Sequence, residues 1–278
     1  MRVTVWGTRG SIATPGPQTA RYGGNTSCVS VEGEDGTWLV LDAGTGVRTC
    51  GAAIPKSVKR VDLFLTHLHM DHIIGLGFFA PLLRPGMDLH IWGPRSAGAD
   101  LKTRLSRYLS PPLFPVRLSE VPADVSLHEI AAADATIGEL HVTSSFVTHP
   151  DPALGYRITS RGRTVAYIPD HEPALGVEGF PIGPQWTSGH TVAAGADLLI
   201  HDSQYTGAEY DGRVGWGHSS IDQSVAFAQQ AGVGELLLFH HDPAHDDAML
   251  DVLANDAAER AGTSLVTAAA TEGAVVEL

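Results

Sequence analysis

Long apolar runs are missing from this chain. None of its 278 residues falls in a stretch of roughly eighteen consecutive hydrophobic positions, the length a membrane-spanning helix requires. Cysteine is nearly absent too: Cys28 and Cys50 are too few for a disulfide framework. They read as small buried residues in a reducing compartment. Basic residues are scarce, with 18 Lys and Arg against 31 Asp and Glu and a net charge of -13. Such a field repels polyanions and disfavours binding along a nucleic-acid backbone. A small anion can still bind where metal ions reverse the local sign. The opening MRVTVWGTRGS lacks the charged and apolar segments of a secretory leader, so the expected location is the cytoplasm.

What is present suffices for one large core, with 43% hydrophobic residues. Apolar runs predict strands near 3–6, 27–31, 38–41, 61–65, 89–92, 139–146, 155–159, 164–168, 197–201, 235–239 and 264–268. Helical patterns fit 71–83, 96–108, 221–231 and 246–261, the third with Ser220 as its cap and Gly232 as its stop. Strands interrupted by helices point to a layered α/β sandwich. No linker separates the halves 1–138 and 139–278, so residues 1–278 are read as one domain of two similar lobes.

Fourteen histidines are many for this length, and their placement carries the argument. FLTHLHMDHIIG contains H-x-H-x-D-H at His67, His69, Asp71 and His72, directly after the apolar run VDLFL. His67 and His69 are two apart, so an extended segment turns them to one side. Asp71 and His72 come where the chain enters a helix and can face a neighbouring spot. Imidazole and carboxylate are the ligands that zinc and similar divalent cations take.

Other polar residues end apolar runs in the same way: His149 after HVTSSFVT, Asp170 after RTVAYIP, Asp202 after ADLLIH, and His240 and His241 after ELLLF. Each alone reads as a strand cap or a loop residue. Together with the first motif, they supply what a two-cation site needs from separate strands.

This pattern resembles the metallo-β-lactamase fold of hydrolases, whose strand-Asp-x-Gly element is similar to WLVLDAG at 38–44. The resemblance implies a four-layer αββα sandwich. It also implies two divalent cations, zinc above all, with manganese, iron or nickel as alternatives. By resemblance, His67, His69 and His149 hold one cation. Asp71, His72 and His240 hold the other, with His241 the alternative to His240, and Asp170 bridges the two. Asp42 is expected to brace the metal turn from beneath.

LLIHDSQYT followed by GWGHSS resembles elements of the tRNA 3′-processing phosphodiesterase branch, placing Asp202 and His218 beside the scissile phosphate. Together with Asp71 these are the expected catalytic residues. The long glycine-rich arm of the tRNA enzymes has no counterpart here. In the corresponding stretch stands LKTRLSRYLSPPLFPV, with Lys102, Arg104 and Arg107. With the acidic total, this implies a small phosphodiester, a cyclic nucleotide or cyclic sugar phosphate, and no long nucleic acid. Arg9 and Arg21, in the glycine-rich opening, are candidates for phosphate or base contact or plain loop residues. His171 is the unassigned histidine expected to face substrate. The branch also implies a homodimer, in which Trp186 and Trp216 either cover the interface or line the core.

The expected chemistry is attack on phosphorus by a hydroxide shared between the cations, assisted by His218 with Asp202 orienting its ring. The alternatives are a thioesterase or lactonase on the same fold, and a non-catalytic metal-binding regulatory module.

Overall fold

The computed structural model describes residues 1–278 except Ala133, Glu178 and Ile182. In chain order the first half runs β1 (Arg2–Gly7), β2 (Cys28–Glu32), β3 (Trp38–Leu41), α1 (Val47–Ala53), β4 (Arg60–Phe64), α2 (Met70–Ile73), β5 (Asp88–Pro94), α3 (Leu101–Tyr108) and β6 (Asp124–Ile130). The second half runs β7 (Asp134–Ile137), β8 (Leu140–Val147), β9 (Ala153–Ser160), β10 (Arg163–Ile168), α4 (His190–Ala193), β11 (Leu198–Asp202), α5 (Gly207–Asp211), α6 (Ile221–Ala231), β12 (Glu235–Phe239), α7 (Asp247–Ala261), β13 (Val266–Ala269) and β14 (Val275–Glu277).

Two seven-stranded sheets result, ordered β14-β1-β2-β3-β4-β5-β6 and β13-β12-β11-β10-β9-β8-β7. Strands β3 to β6 are mutually parallel, as are β10 to β13. The central ones, β3, β4, β10, β11 and β12, are covered on both faces and read as nearly continuous apolar runs, whereas β5 alternates and β6 and β13 at the edges are part-exposed. Within β12, Leu237 and Phe239 enter the core between the sheets, while Leu236 and Leu238 pack under the helices. Val165 and Tyr167 of β10 likewise face the inner core, and Ala166 and Ile168 the outer one. On the far side, Val47 and Cys50 of α1 and Leu101 and Leu105 of α3 cover the first sheet. The layers are therefore helix, sheet, sheet, helix. Each leucine fully buried in them stabilises the fold by about 1.5–3 kcal/mol.

The halves are not divided at 138/139. Strand β7 already belongs to the second sheet, and β14 returns to pair with β1 of the first, Val3 opposite Val276. The helix expected over 71–83 is also broken. After α2 the chain makes two single 3₁₀ turns, Leu76–Phe78 and Ala80–Leu83. Gly75 lies against the backbone of Gly44, where an added Cβ would meet the carbonyl oxygen at 2.1 Å, and Pro81 cannot donate to a continuous ladder. The helix expected over 96–108 starts later, because the Asp100 side chain accepts a hydrogen bond from Thr103 N and caps it there. Ser220 caps α6 as expected, accepting from Gln223 N.

Both cysteines are buried. Parallel strands end together, so the segments after β3, β4, β10, β11 and β12 emerge at one rim of the sandwich. That rim is where loops can be held rigidly for chemistry.

Candidate metal centre

His67, His69, Asp71, His72, His149, Asp170, Asp202, His218 and His240 converge at this rim from β4, β8, β10, β11, the loop before α6, and β12. The Nδ1 of His69 and the Nε2 of His149 are 3.3 Å apart, and His67 completes that group. In the second group, Nε2 of His240 lies 3.1 Å from Asp71 Oδ2, and Nε2 of His72 lies 3.3 Å from the same oxygen. Ligand atoms around one tetrahedral zinc, at ~2.0–2.2 Å each, stand roughly 3.3–3.6 Å from one another, so these spacings suit a cation. Asp170 lies between the groups. Its Oδ1 is 3.0 Å from His72 Nε2 and 3.4 Å from His240 Nε2, while its Oδ2 is 3.6 Å from His67 and 3.8 Å from His149.

In His67, His72, His149 and His240 the other ring nitrogen is taken up behind the centre. His72 Nδ1 lies 2.8 Å from Asp42 Oδ2, and His149 Nδ1 donates to the carbonyl of Gly217 at 2.7 Å. His67 Nδ1 meets Thr66 Oγ1, whose hydroxyl in turn donates to Asp42. His240 Nδ1 meets Gln204 Oε1 at 3.0 Å. A proton held on Nδ1 leaves Nε2 as a lone pair, the form that binds a metal. Burial pushes the pKa of His67 well down and that of His149 down, which also favours neutral rings.

Three buried atoms here have no hydrogen-bond partner: His67 Nε2, His72 Nε2 and Asp170 Oδ1. The carboxylates of Asp71 and Asp170 are buried as well, and histidines are the only cationic side chains within ion-pairing distance among the described residues. Burial raises the Asp71 pKa, but His72 and His240 outweigh it and hold the carboxyl well below its usual range. Buried anions of this kind need a cation, and orphaned nitrogen and oxygen donors facing one another are the donor set a divalent metal takes. The residues fit metal binding.

Asp42 adopts φ +60° and binds the backbone N–H and hydroxyl of Thr66, the ring of His72 and the hydroxyl of Tyr167. It braces the metal turn, as the sequence implies. Of the two terminal histidines, His240 faces the centre, whereas His241 Nε2 turns to the Ala270 carbonyl at 2.9 Å. His218 stands beside the cluster. Its Nδ1 is 2.8 Å from Asp202 Oδ2 and 3.8 Å from Asp170 Oδ2. Burial alone would lower its pKa, but the Asp202 carboxylate outweighs that and raises it to about 9.

Alternatives left open resolve here, and the expectation for His171 fails. Arg9 is fully buried and donates to the carbonyls of Gly23, Asp242 and His245, so it ties the opening loop to the segment after β12. Arg21 pairs with Asp251 at 2.7 Å, because α7 lies alongside that loop. His171 is buried, its Nδ1 2.9 Å from His201 Nε2, and faces no substrate space. Trp186 and Trp216 are exposed and do not line the core.

Sequence reasoning misses several supports. Ser11 donates its backbone N–H to Asp71 Oδ2 at 2.8 Å, and Glu172 accepts from the N–H groups of Gly215 and Gly217 and so shapes the loop that presents His218. Gln204 and Tyr167 are the others. Backbone donors leave no trace in side-chain identity, and Glu172 carries a signal only through its position two residues after Asp170.

A family described as "Beta-lactamase superfamily domain" matches residues 37–241. The chain is 26% identical to a ribonuclease BN of Cronobacter sakazakii, over 86% of this chain and 88% of that one. It superposes on the metallo-β-lactamase fold protein YhfI of Bacillus subtilis with a TM-score of 0.71 at 23% identity, covering 99% of each chain. A diphosphatase of the PhnP family gives 0.68 at 17% identity, over 100% of this chain and 97% of that one.

Proposed function

The chain belongs to the beta-lactamase superfamily as a metal-dependent hydrolase of the metallo-β-lactamase fold, and from that premise we propose that it is a binuclear phosphodiesterase for a small phosphodiester, a cyclic nucleotide or cyclic sugar phosphate. The observation that carries the reading is His218 held by Asp202 beside Asp170. An acyl hydrolase has no need of an imidazolium at that place, whereas a phosphodiesterase must stabilise charge on phosphoryl oxygen and leaving alkoxide.

His67, His69 and His149 would hold one cation and Asp71, His72 and His240 the other, with Asp170 reaching both. Divalent cations so bound, zinc by the imidazole-rich donor set, polarise the phosphoryl oxygens and make an attacking water acidic enough to ionise near neutral pH. The residues themselves do the rest. Asp202 keeps the proton on Nδ1 of His218, and Nε2, which has no hydrogen-bond partner among the described residues, is left to donate to the phosphoryl group or the departing oxygen. Ser11 N–H holds Asp71 in register.

A small substrate is favoured over a structured RNA. The net charge is -13, and the stretch where the tRNA enzymes carry an arm folds back on the body, with Leu101, Leu105 and Leu109 in the core. Homodimer assembly and a cytoplasmic location accompany this reading, as does a single domain spanning 1–278. Light scattering checks the first.

The decisive experiment pairs metal analysis of the purified protein with a screen. The panel holds bis-(p-nitrophenyl) phosphate, 2′,3′- and 3′,5′-cyclic nucleotides, a precursor tRNA and thioesters. Two metals per chain with turnover of small phosphodiesters supports the proposal. Turnover confined to thioesters, or to precursor tRNA, overturns it, and bound metal without any turnover would return the chain to a regulatory role.

A further inference from the structure

A pocket of about 400 Å³ opens beside the metal centre, between α3 and the turn at residues 68–73. His69 lines one part of it, so the pocket borders the candidate centre through one of its candidate ligands. Its other walls include Met70, Tyr108 and Leu113 on the apolar side and Arg104 and Arg107 on the cationic side. Met70 and Leu113 are exposed despite being apolar, which leaves open faces at the pocket. This volume falls within the range of small-ligand sites, which combine apolar walls with a few placed polar groups.

The two arginines differ. Arg104 is committed to the Pro94 carbonyl and to Glu129, 3.3 Å away, although its Nε has no partner. Arg107 is exposed and has no ion-pair or hydrogen-bond partner among the described residues. A cation in the last turn of α3 suits the helix dipole, which accounts for its charge but not for its place on a pocket wall next to the candidate centre. Among the described residues the only carboxylate lining the pocket is Asp151, which is largely solvated and sits 3.8 Å from His69 Nε2. In a chain of net charge -13, Arg107 is thus the cation on this wall left without a carboxylate partner among the described residues.

We infer that this pocket seats the nucleoside part of the phosphodiester and that Arg107 binds a second phosphate carried on it, so that the enzyme's substrates are bisphosphorylated nucleosides with one phosphate esterified. The inference rests on the phosphodiesterase reading. Tyr108 and the apolar residues cover the base or sugar, and the guanidinium takes two phosphate oxygens at once, as its planar fork allows. Arg107 is then a specificity residue and not part of the bond-breaking machinery.

The test compares, with metal-loaded protein, calorimetric affinity for thymidine 3′,5′-bisphosphate against thymidine 5′-monophosphate. In parallel, it compares kcat/KM for thymidine 5′-(p-nitrophenyl phosphate) with and without a 3′-phosphate. The wild type should favour the second phosphate by about ten-fold to a hundred-fold in both, the range of a charge-assisted hydrogen bond. Arg107→Gln should bring both ratios to near unity, Arg107→Lys should keep part of them, and Arg117→Gln, on a residue paired with Glu120, should keep them whole. Equal affinities in the wild type, or a preference that survives Arg107→Gln, overturn the inference. A binding preference without turnover of either ester overturns the phosphodiesterase reading and leaves the anion subsite standing.

Discussion

His218 Nδ1 lies 2.8 Å from Oδ2 of Asp202, and that same oxygen accepts the backbone N–H of His171 at 2.9 Å. The other oxygen of Asp202 accepts the backbone N–H of Gln204 at 3.1 Å, so the carboxylate is fixed from two directions before it meets the imidazole. One fixed proton on Nδ1 sets both the orientation of the ring and the nitrogen that faces the substrate space.

Replacing His218 with Ala should leave the metal content unchanged and reduce kcat by a factor on the order of 10²–10⁴. Asp202→Asn should keep the ring in place but lower its pKa from about 9, since the carboxylate is what raises it. The alkaline limb of the rate profile, where His218 loses its proton, then moves to lower pH. An unmoved limb would separate His218 from the protonation step.

Asp42→Asn should weaken metal binding without replacing a ligand. It disturbs the contacts to Thr66, His72 and Tyr167 at once. Loss of such an outer partner typically costs about 10–100-fold in metal affinity. Competition with a chromogenic chelator measures it, and wild-type affinity in the variant would show that the turn needs no brace.

Gly217 has φ +91°, and a Cβ there would meet Pro150 Cδ at 2.2 Å and His149 Nδ1 at 2.4 Å. Gly217→Ala should displace His149 and the His218 loop together, lowering metal affinity and rate by at least about ten-fold each, for a strain of order 1–3 kcal/mol. Metal titration alongside turnover distinguishes this from a global loss of fold, for which circular dichroism is the control.

His201 is buried, and burial pushes its pKa down to about 4 from an ordinary 6.5. Its folded pKa lies below the unfolded one, so the unfolded state takes the proton first as pH falls. The stabilisation is complete above about pH 6.5 and is lost progressively toward pH 4, by at most about 1.4 kcal/mol per pH unit. His201→Gln should flatten that part of the curve in urea titrations run at successive pH values. An identical slope in both proteins would show that His201 does not titrate on unfolding.

Much of the centre is legible in the sequence because buried strands are apolar and the residues at their ends are not. His67, His69, Asp71, His72 and Asp170 stand out as ionisable residues directly after such runs. His240 and His241 are not separable in this way, since neighbouring residues differ only in which way the backbone turns, and His240 adopts φ +62° to face the centre. The broken helix after α2 is hidden because Ile73, Leu76 and Phe79 keep a helical spacing while Gly75 is pressed against Gly44. Strand β14 escapes notice for its brevity, and Arg9 stays ambiguous because a guanidinium in a glycine-rich loop looks the same whether it faces solvent or carbonyl groups.

The Asp42 carboxylate, on the first sheet, accepts from Tyr167 on the second across 125 positions of chain, and Asp71 meets His240 across 169. Neither sheet by itself can bring the whole cluster of candidate ligands together. Capture of a cation by the full donor set therefore has to wait for the slow, non-local docking of the two sheets. During refolding, the moment of tight metal uptake would mark the completion of tertiary structure rather than its beginning.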